Sequence, residues 1–161
     1  MNELIKVGMA DLNVCVSPNA ITTLGLGSCV GIVLYDPVKK ISGMVHIMLP
    51  DSTKILNNSN KAKFADTGID VLIQTMIKIG ADRRTLIAKI AGGAQMFAFS
   101  NNSDMMRIGE RNVEATKCKL LDLGICLKAE DTGANYGRTI EFYPENGELL
   151  IKSVGKERKI L

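Results

Sequence analysis

The sequence contains a single histidine, His46, and only four cysteines among its 161 residues. No two cysteines form a Cys-x-x-Cys pair, and one histidine does not complete a usual zinc ligand set, so we expect no structural metal and no cofactor. No apolar run approaches the ~20 residues of a membrane-spanning helix, which argues against membrane insertion. The first residues lack the features of a secretion signal, so we expect a cytoplasmic protein with reduced thiols.

A strong excess of charge of one sign is also missing. The net charge is +3, and the 20 Lys and Arg residues are scattered along the chain rather than clustered. The best basic run, residues 156–159, is interpreted as a solvated chain end, so nucleic-acid binding is not expected. Gly25 and Gly27 do not fit either the dinucleotide-binding or the P-loop spacing, which argues against a nucleotide-binding domain.

What is present indicates a single globular domain over residues 1–161. Hydrophobic residues make up 46% of the chain, enough to form a substantial core. Apolar residues at helical spacing predict helices over residues 63–79 and 111–123, the second with an apolar face that includes Leu120 and Leu121. Predicted strands cover residues 4–9, 12–16, 21–24, 30–35, 41–49, 86–91, 125–129, 139–143 and 149–154. The pattern predicts an α/β domain in which strands outnumber helices.

The most informative segment is Thr23-Leu24-Gly25-Leu26-Gly27-Ser28-Cys29, which places a cysteine on a glycine-rich turn upstream of His46. A thiol beside an imidazole is the minimal equipment for nucleophilic acyl chemistry. The strands on either side of residues 36–40 have hairpin character. If Asp36 to Lys39 form the turn, Cys29 and His46 lie directly opposite each other, with Cβ atoms about 4.5–5.5 Å apart.

Proximity would allow the imidazole to accept the thiol proton and the imidazolium to stabilise the thiolate. Backbone amides around Ser28 and Cys29, on a turn made possible by Gly27, could donate hydrogen bonds to an oxyanion. A nucleophile elbow of the α/β-hydrolase type is rejected, because that motif requires a helix where this chain predicts a strand. The residues alone leave open that Cys29 is a small buried hydrophobe and His46 a structural residue; the same interpretation is favoured for Cys15, Cys118 and Cys126.

An ordered set of segments resembles the CheD family of bacterial chemotaxis proteins, the chemoreceptor glutamine deamidases. The segments are Thr23–Val30, His46–Pro50, Lys63–Asp66, Lys89–Phe97, Ile108–Asn112, Glu130–Gly133 and Gly137-Arg138. The resemblance implies an α/β fold of packed β-sheets flanked by helices, similar to bacterial toxin-type cysteine deamidases. It also implies that specific receptor glutamines are hydrolysed to glutamate through a thioester.

By the same resemblance, Cys29 is the nucleophile, His46 the general base and acid, and Thr23 the residue that orients the imidazole. The implied partners are methyl-accepting chemotaxis receptors, as protein substrates, and a CheC-type phosphatase. The segment with Gly92, Gly93, Met96 and Phe97 is a candidate contact surface, with a buried strand end as the alternative. A non-catalytic adaptor that binds receptors and the phosphatase remains the alternative function.

Overall fold

The computed structural model describes residues 2–96 and 107–161. Over these residues the chain forms ten strands, two α-helices and three short 3-10 turns. The strands are β1 Leu4–Val7, β2 Leu12–Val16, β3 Ala20–Leu26, β4 Val30–Asp36, β5 Ile41–Ile47, β6 Ile87–Gly92, β7 Cys126–Thr132, β8 Arg138–Tyr143, β9 Glu148–Lys152 and β10 Lys159–Ile160. The helices are α1 Ala65–Lys78 and α2 Ile108–Asp122, and the 3-10 turns are Ser52–Lys54, Lys61–Lys63 and Arg83–Thr85.

The strands form two mixed five-stranded sheets. The first sheet has the order β1-β3-β8-β9-β10, and the second has the order β2-β5-β4-β6-β7. The pairs β1·β3 and β6·β7 are parallel, and the other neighbouring strands are antiparallel. The predicted α/β arrangement of packed sheets flanked by helices is confirmed.

The second sheet is the central layer, and β4 shows why. Every residue of β4 is buried. Because successive side chains of a strand point to opposite faces, Ile32 and Leu34 pack with the two helices, whereas Val33 and Tyr35 pack against the first sheet. The near-continuous apolar sequence of β4 is what a strand covered on both faces requires.

The predicted register of the β4–β5 hairpin is wrong by two residues. Asp36 pairs with Ile41, which leaves a four-residue loop, and Gly31 rather than Cys29 lies opposite His46. The Asp36 carboxylate accepts hydrogen bonds from the first backbone amides of that loop, and the loop ends at Lys40 with a φ of 54°. An error of two residues preserves the alternation of faces, so Cys29 still packs in the layer between the sheets.

Two smaller expectations also need correction. The basic chain end is not only solvated, because Lys159 and Ile160 form β10 and pair with β9 while their side chains stay exposed. Leu121, assigned to the apolar face of the second helix, is 80% exposed. Across residues 2–96 and 107–161, no helix combines the length and apolarity needed to cross a bilayer.

Candidate active site

Thr23 and His46 come from different sheets and meet between them. Thr23 Oγ1, on β3, lies 2.7 Å from His46 Nδ1, on β5, and 2.7 Å from the carbonyl oxygen of Val7. A hydroxyl has one proton, and the Val7 carbonyl can only accept, so the Thr23 hydroxyl donates to Val7. The contact with the imidazole is therefore Nδ1–H donating to Thr23. The Nδ1 atom of His46 therefore carries a proton, and in the neutral ring the lone pair lies on Nε2.

The imidazole of His46 is buried, with 1% of the residue exposed. Burial lowers its pKa below the ordinary histidine value, because removing the ring from water disfavours the charged form. Its Nε2 atom has no hydrogen-bond partner in the described part of the chain. The ring thus presents an unoccupied lone pair at neutral pH, which is the state that a general base requires.

Residues 27–29, which we call the Cys29 loop, connect β3 to β4. The backbone carbonyls of its first and last residues both accept hydrogen bonds. The Gly27 carbonyl accepts a hydrogen bond from the Ala94 amide at 2.8 Å, and the Cys29 carbonyl accepts one from the Gly93 amide at 2.8 Å. Both donors lie in the segment that follows β6. The end of β6 therefore fixes the position of the backbone that carries the thiol.

Asn112, on α2, holds the middle of the same loop. Its Nδ2 donates to the Ser28 carbonyl at 2.9 Å and to the Met48 carbonyl at 3.0 Å, and the residue is fully buried. Sequence reasoning gave Asn112 no role, although it lies in one of the segments that carry the family resemblance. The available signal was its spacing to Thr116 and Leu120, which places two polar residues on the buried face of the helix.

Gly92 and Gly93 support the loop by close contact. A Cβ at Gly92 would lie 2.3 Å from the Cys29 carbonyl oxygen, and the backbone there has a φ of +112°. Both glycines are buried, so of the four candidate contact residues only Met96 is described as exposed, with 45% of its surface accessible. Phe97 lies outside the described residues. Partner contact through this segment stays a prediction.

The thiol of Cys29 is largely buried, with 8% of the residue exposed. Burial raises its pKa, and its own backbone N–H opposes that shift in part. Within residues 2–96 and 107–161 the backbone N–H of Cys29 itself is the group that acts on the thiol by hydrogen bonding, and no hydrogen bond joins the thiol to His46. Burial favours the neutral forms of both Cys29 and His46, which opposes the formation of a thiolate–imidazolium pair in the empty site.

The other cysteines differ in exposure. Cys15 is buried, and its Sγ lies 3.2 Å from Ser42 Oγ. Cys118 and Cys126 are exposed, so their interpretation as buried hydrophobic residues is wrong. Both lie on the outer side of the fold, on α2 and at the start of β7. Among the described residues, no group of three His, Cys, Asp or Glu side chains comes together in a way that would hold a metal ion.

Comparisons with known proteins extend this picture. A sequence model described as "CheD chemotactic sensory transduction" matches residues 48–153. That match begins downstream of Thr23, Cys29 and His46, whereas the following pairwise similarities span nearly the whole chain. The chain is 73% identical over 159 residues to a probable chemoreceptor glutamine deamidase CheD of Lachnoclostridium phytofermentans, covering 99% of both chains.

Two further relatives carry the same name. A probable chemoreceptor glutamine deamidase CheD of Caldanaerobacter subterraneus is 64% identical over 154 residues, covering 96% of this chain and 95% of the relative. The chemoreceptor glutamine deamidase CheD of Halalkalibacterium halodurans is 58% identical over 160 residues, covering 99% of both. A solved structure, the hypothetical protein YfiH of Bacillus licheniformis, is similar with a TM-score of 0.47 and 17% identity over 78% of this chain and 51% of that chain, a likeness too distant to bear on function.

The family resemblance carried by the seven sequence segments is therefore confirmed, and this chain belongs to the CheD family.

Proposed function

We propose that this protein hydrolyses the side-chain amide of specific glutamines in chemoreceptors, giving glutamate and ammonia. The observation that carries the proposal is the fixed tautomer of His46, whose Nδ1–H donates to Thr23 and whose Nε2 lone pair is buried and unoccupied. Cys29, which directly precedes the strand next to that of His46, supplies the nucleophile. The names of relatives that are 58–73% identical to this chain support the substrate class.

In the first half-reaction, His46 Nε2 takes the proton of the Cys29 thiol as Sγ attacks the amide carbon of the substrate glutamine. The C=O double bond becomes a C–O⁻ single bond, and the resulting oxyanion accepts hydrogen bonds from backbone N–H groups of the Cys29 loop. The proton on Nε2 then passes to the amide nitrogen, the C–N bond breaks, and ammonia leaves. The product of this half-reaction is a thioester between Cys29 and the substrate side chain.

In the second half-reaction, water replaces ammonia at the same place. His46 Nε2 takes a proton from the water as its oxygen attacks the thioester carbon, and the C–S bond breaks. The sulfur recovers the proton from Nε2, and the glutamate product leaves. Thr23 keeps the imidazole in one orientation throughout, as the third member of a triad does, because its hydroxyl accepts the Nδ1–H bond in both half-reactions.

The neutral resting states of Cys29 and His46 fit this sequence of steps. Because burial raises the pKa of the thiol and lowers that of the imidazole, proton transfer between them is unfavourable before the substrate is bound. Attack on the amide carbon then transfers the developing negative charge from the sulfur to the oxyanion, which the backbone N–H groups of the loop stabilise. The thiol is thereby protected from oxidation and from other electrophiles while the site is empty.

The test is mass spectrometry of a purified chemoreceptor cytoplasmic fragment after incubation with the protein. We expect peptides with the mass gain of Gln-to-Glu conversion, and we expect that gain to disappear with Cys29→Ala. Cys15→Ala is the matched control, because it removes another buried thiol that lies on β2 and contacts Ser42 instead. Binding of the fragment without any mass gain would overturn the enzymatic proposal and favour the adaptor alternative.

We also propose a common contact surface for the two protein partners. The receptor segment and a CheC-type phosphatase would both approach the Cys29 loop, where Met96 is exposed. Methionine is well suited to such a surface, since its flexible apolar side chain adapts to different partners. Met96→Asp is expected to weaken binding of the receptor fragment in a pull-down assay, whereas Leu56→Asp, at another exposed apolar residue, is the control.

A further inference from the structure

The Cys29 loop is held through its carbonyl groups, and this has a consequence for its amides. The carbonyls of Gly27, Ser28 and Cys29 each accept a hydrogen bond from inside the protein. In the described part of the chain, the backbone amides of Ser28 and Cys29 donate no hydrogen bond to another residue. The loop therefore has every acceptor occupied and two neighbouring donors unused.

The peptide bond between Ser28 and Cys29 is trans, so its C=O and N–H point in opposite directions. A donor that fixes the Ser28 carbonyl consequently fixes the Cys29 amide as well. That donor is Asn112 Nδ2, 2.9 Å from the carbonyl oxygen. The Cys29 N–H then lies on the side of its own thiol, where it contributes to the electrostatics of Sγ.

The position of Asn112 is unusually constrained for a helix residue. It is fully buried, and its second bond, to the Met48 carbonyl at 3.0 Å, attaches it to the chain two residues beyond His46. One side-chain amide thus connects the chain before the nucleophile to the chain after the base. Gly109 allows α2 to approach the segment after β6 closely, because a Cβ at Gly109 would lie 2.4 Å from the Ala94 carbonyl oxygen.

We infer that Asn112 is a positioning residue for deamidation, which orients the Cys29 amide to receive the oxyanion by holding the Ser28 carbonyl. The inference rests on the proposed function. It assigns Asn112 no contact with the substrate and no proton transfer. Its contribution is made through the Cys29 amide, and that contribution is expected in the transition state, where the oxyanion forms, and not in the ground state.

The first test compares Asn112→Leu, of similar size but without a donor, with Thr116→Val. The control removes a buried hydroxyl one turn further along α2, which donates to the Asn112 carbonyl and does not touch the Cys29 loop. For Asn112→Leu we expect kcat to fall about 10²–10³-fold, the loss typical of one oxyanion donor, with KM nearly unchanged. Thr116→Val should keep the kcat of the wild-type protein.

The second measurement separates positioning from general damage to the site. Alkylation of Cys29 by iodoacetamide needs the thiolate but forms no oxyanion, so its limiting rate at high pH, where the thiol is fully ionised, should be the same in Asn112→Leu and wild type. A parallel fall in alkylation and deamidation would mean that Asn112 only maintains the fold. An unchanged kcat would also overturn the inference.

Asn112→Asp keeps the test decisive if the leucine variant does not fold. A protonated carboxyl can donate to one carbonyl, whereas a carboxylate cannot donate at all. The kcat of Asn112→Asp relative to wild type should therefore fall as the pH rises and the carboxyl ionises. A ratio that stays constant with pH would contradict the inference.

A spectroscopic measurement decides the matter even if the wild-type protein proves to have no deamidase activity. In ¹H–¹⁵N correlation spectra, the amide resonance of Cys29 should move in Asn112→Asp or Asn112→Leu and stay in place in Thr116→Val. Absence of activity in the wild type with such a shift would refute the proposed function and keep the positioning role. A Cys29 resonance that does not move would overturn the positioning role itself.

Discussion

Cys29 and Cys15 are both buried, with 8% and 3% of their surfaces exposed, and burial raises the pKa of both thiols. They differ in the backbone that carries them. Cys15 lies within β2, pairs with Ser42 of β5, and has the Ser42 hydroxyl as a neighbour. Cys29 lies one residue before β4, on a loop in which the amides of Ser28 and Cys29 donate to no other residue in the described part of the chain. Burial is common to both sites, so what distinguishes Cys29 is its loop and, in the proposed mechanism, the base His46 on the strand next to β4.

The largest expected difference between the two thiols appears when Cys29 and Cys15 are each replaced by serine. Cys29→Ser should lower kcat for receptor deamidation by at least about 10⁴-fold, because a serine hydroxyl is a far weaker nucleophile without a stronger base. Cys15→Ser should leave kcat unchanged and cost about 1 kcal/mol of stability, since it alters only packing beside Ser42. Deamidation rates and urea unfolding measure the two effects. Comparable losses of activity in both variants would remove the distinction between the two thiols.

A second prediction concerns the backbone under the Cys29 loop. Gly92→Ala should lower kcat about 10²-fold, because the added Cβ would lie 2.3 Å from the Cys29 carbonyl oxygen and must displace the loop. Gly124→Ala is the matched control, since Gly124 also has a positive φ, of +69°, but has open space where the Cβ would be. Both variants bear backbone strain, and only Gly92→Ala should lose activity. Equal kcat values in the two variants would show that the loop position is not critical.

The placement of the loop in the fold was partly accessible from the sequence. The strand over residues 12–16 and the long apolar strand after Cys29 were predicted correctly, because alternation and continuous burial leave clear patterns. The hairpin register was not, because a four-residue loop ending in a non-glycine residue, Lys40, at positive φ has no strong sequence signal. β10 was missed because both of its residues are exposed, so no apolar pattern marks it.

The site residues differ in the same way: some are recognisable from the local sequence, and others only from contacts between distant parts of the chain. Cys29 and His46 stand out by residue type and spacing, but Thr23 was singled out only through the family resemblance, since its partners lie on other strands. Asn112 received no role because it contacts backbone carbonyls 84 and 64 residues away in the chain. Carbonyl groups are present at every residue and carry no sequence signature. Such contacts are evident only once the sheets and α2 are in place.

A third prediction tests Thr23, the hydrogen-bond partner of the proposed base His46. Cys15 has the Ser42 hydroxyl as its neighbour instead. Thr23→Val should lower kcat about 10-fold or more, because the imidazole loses the acceptor that fixes its tautomer. Thr22→Val is a close control, since the neighbouring hydroxyl is also buried and donates to a carbonyl, that of Ile140, without contacting His46. Thermal unfolding should be affected similarly by the two substitutions. A kcat loss of equal size in Thr22→Val would assign the effect to β3 rather than to the imidazole.

The smallest expected effect is on stability, and it tests whether His46 is buried in its neutral form. Its folded pKa is lowered, so the unfolded state binds the proton more readily, and stability should decline as the pH falls through the unfolded value of about 6.5. One proton limits the slope to about 1.4 kcal/mol per pH unit. The carboxyl groups of Asp36, Asp131 and Glu141, whose pKa values are also lowered, lose their contribution only at more acidic pH.

Because His46 is the only histidine in the chain, its titration can be isolated with one variant. Measured by urea unfolding, the free energy of unfolding of the wild-type protein should decline between about pH 7 and pH 5. The decline should be much smaller in His46→Gln, because a glutamine side chain does not titrate. Cys15→Ser should keep the wild-type slope, because neither a cysteine nor a serine changes charge in this range. Parallel curves for wild type and His46→Gln would mean that the imidazole is as easily protonated in the folded protein as in water. In that case the base beside Cys29 would be no better shielded than a surface histidine, and the neutral resting pair would have to be abandoned.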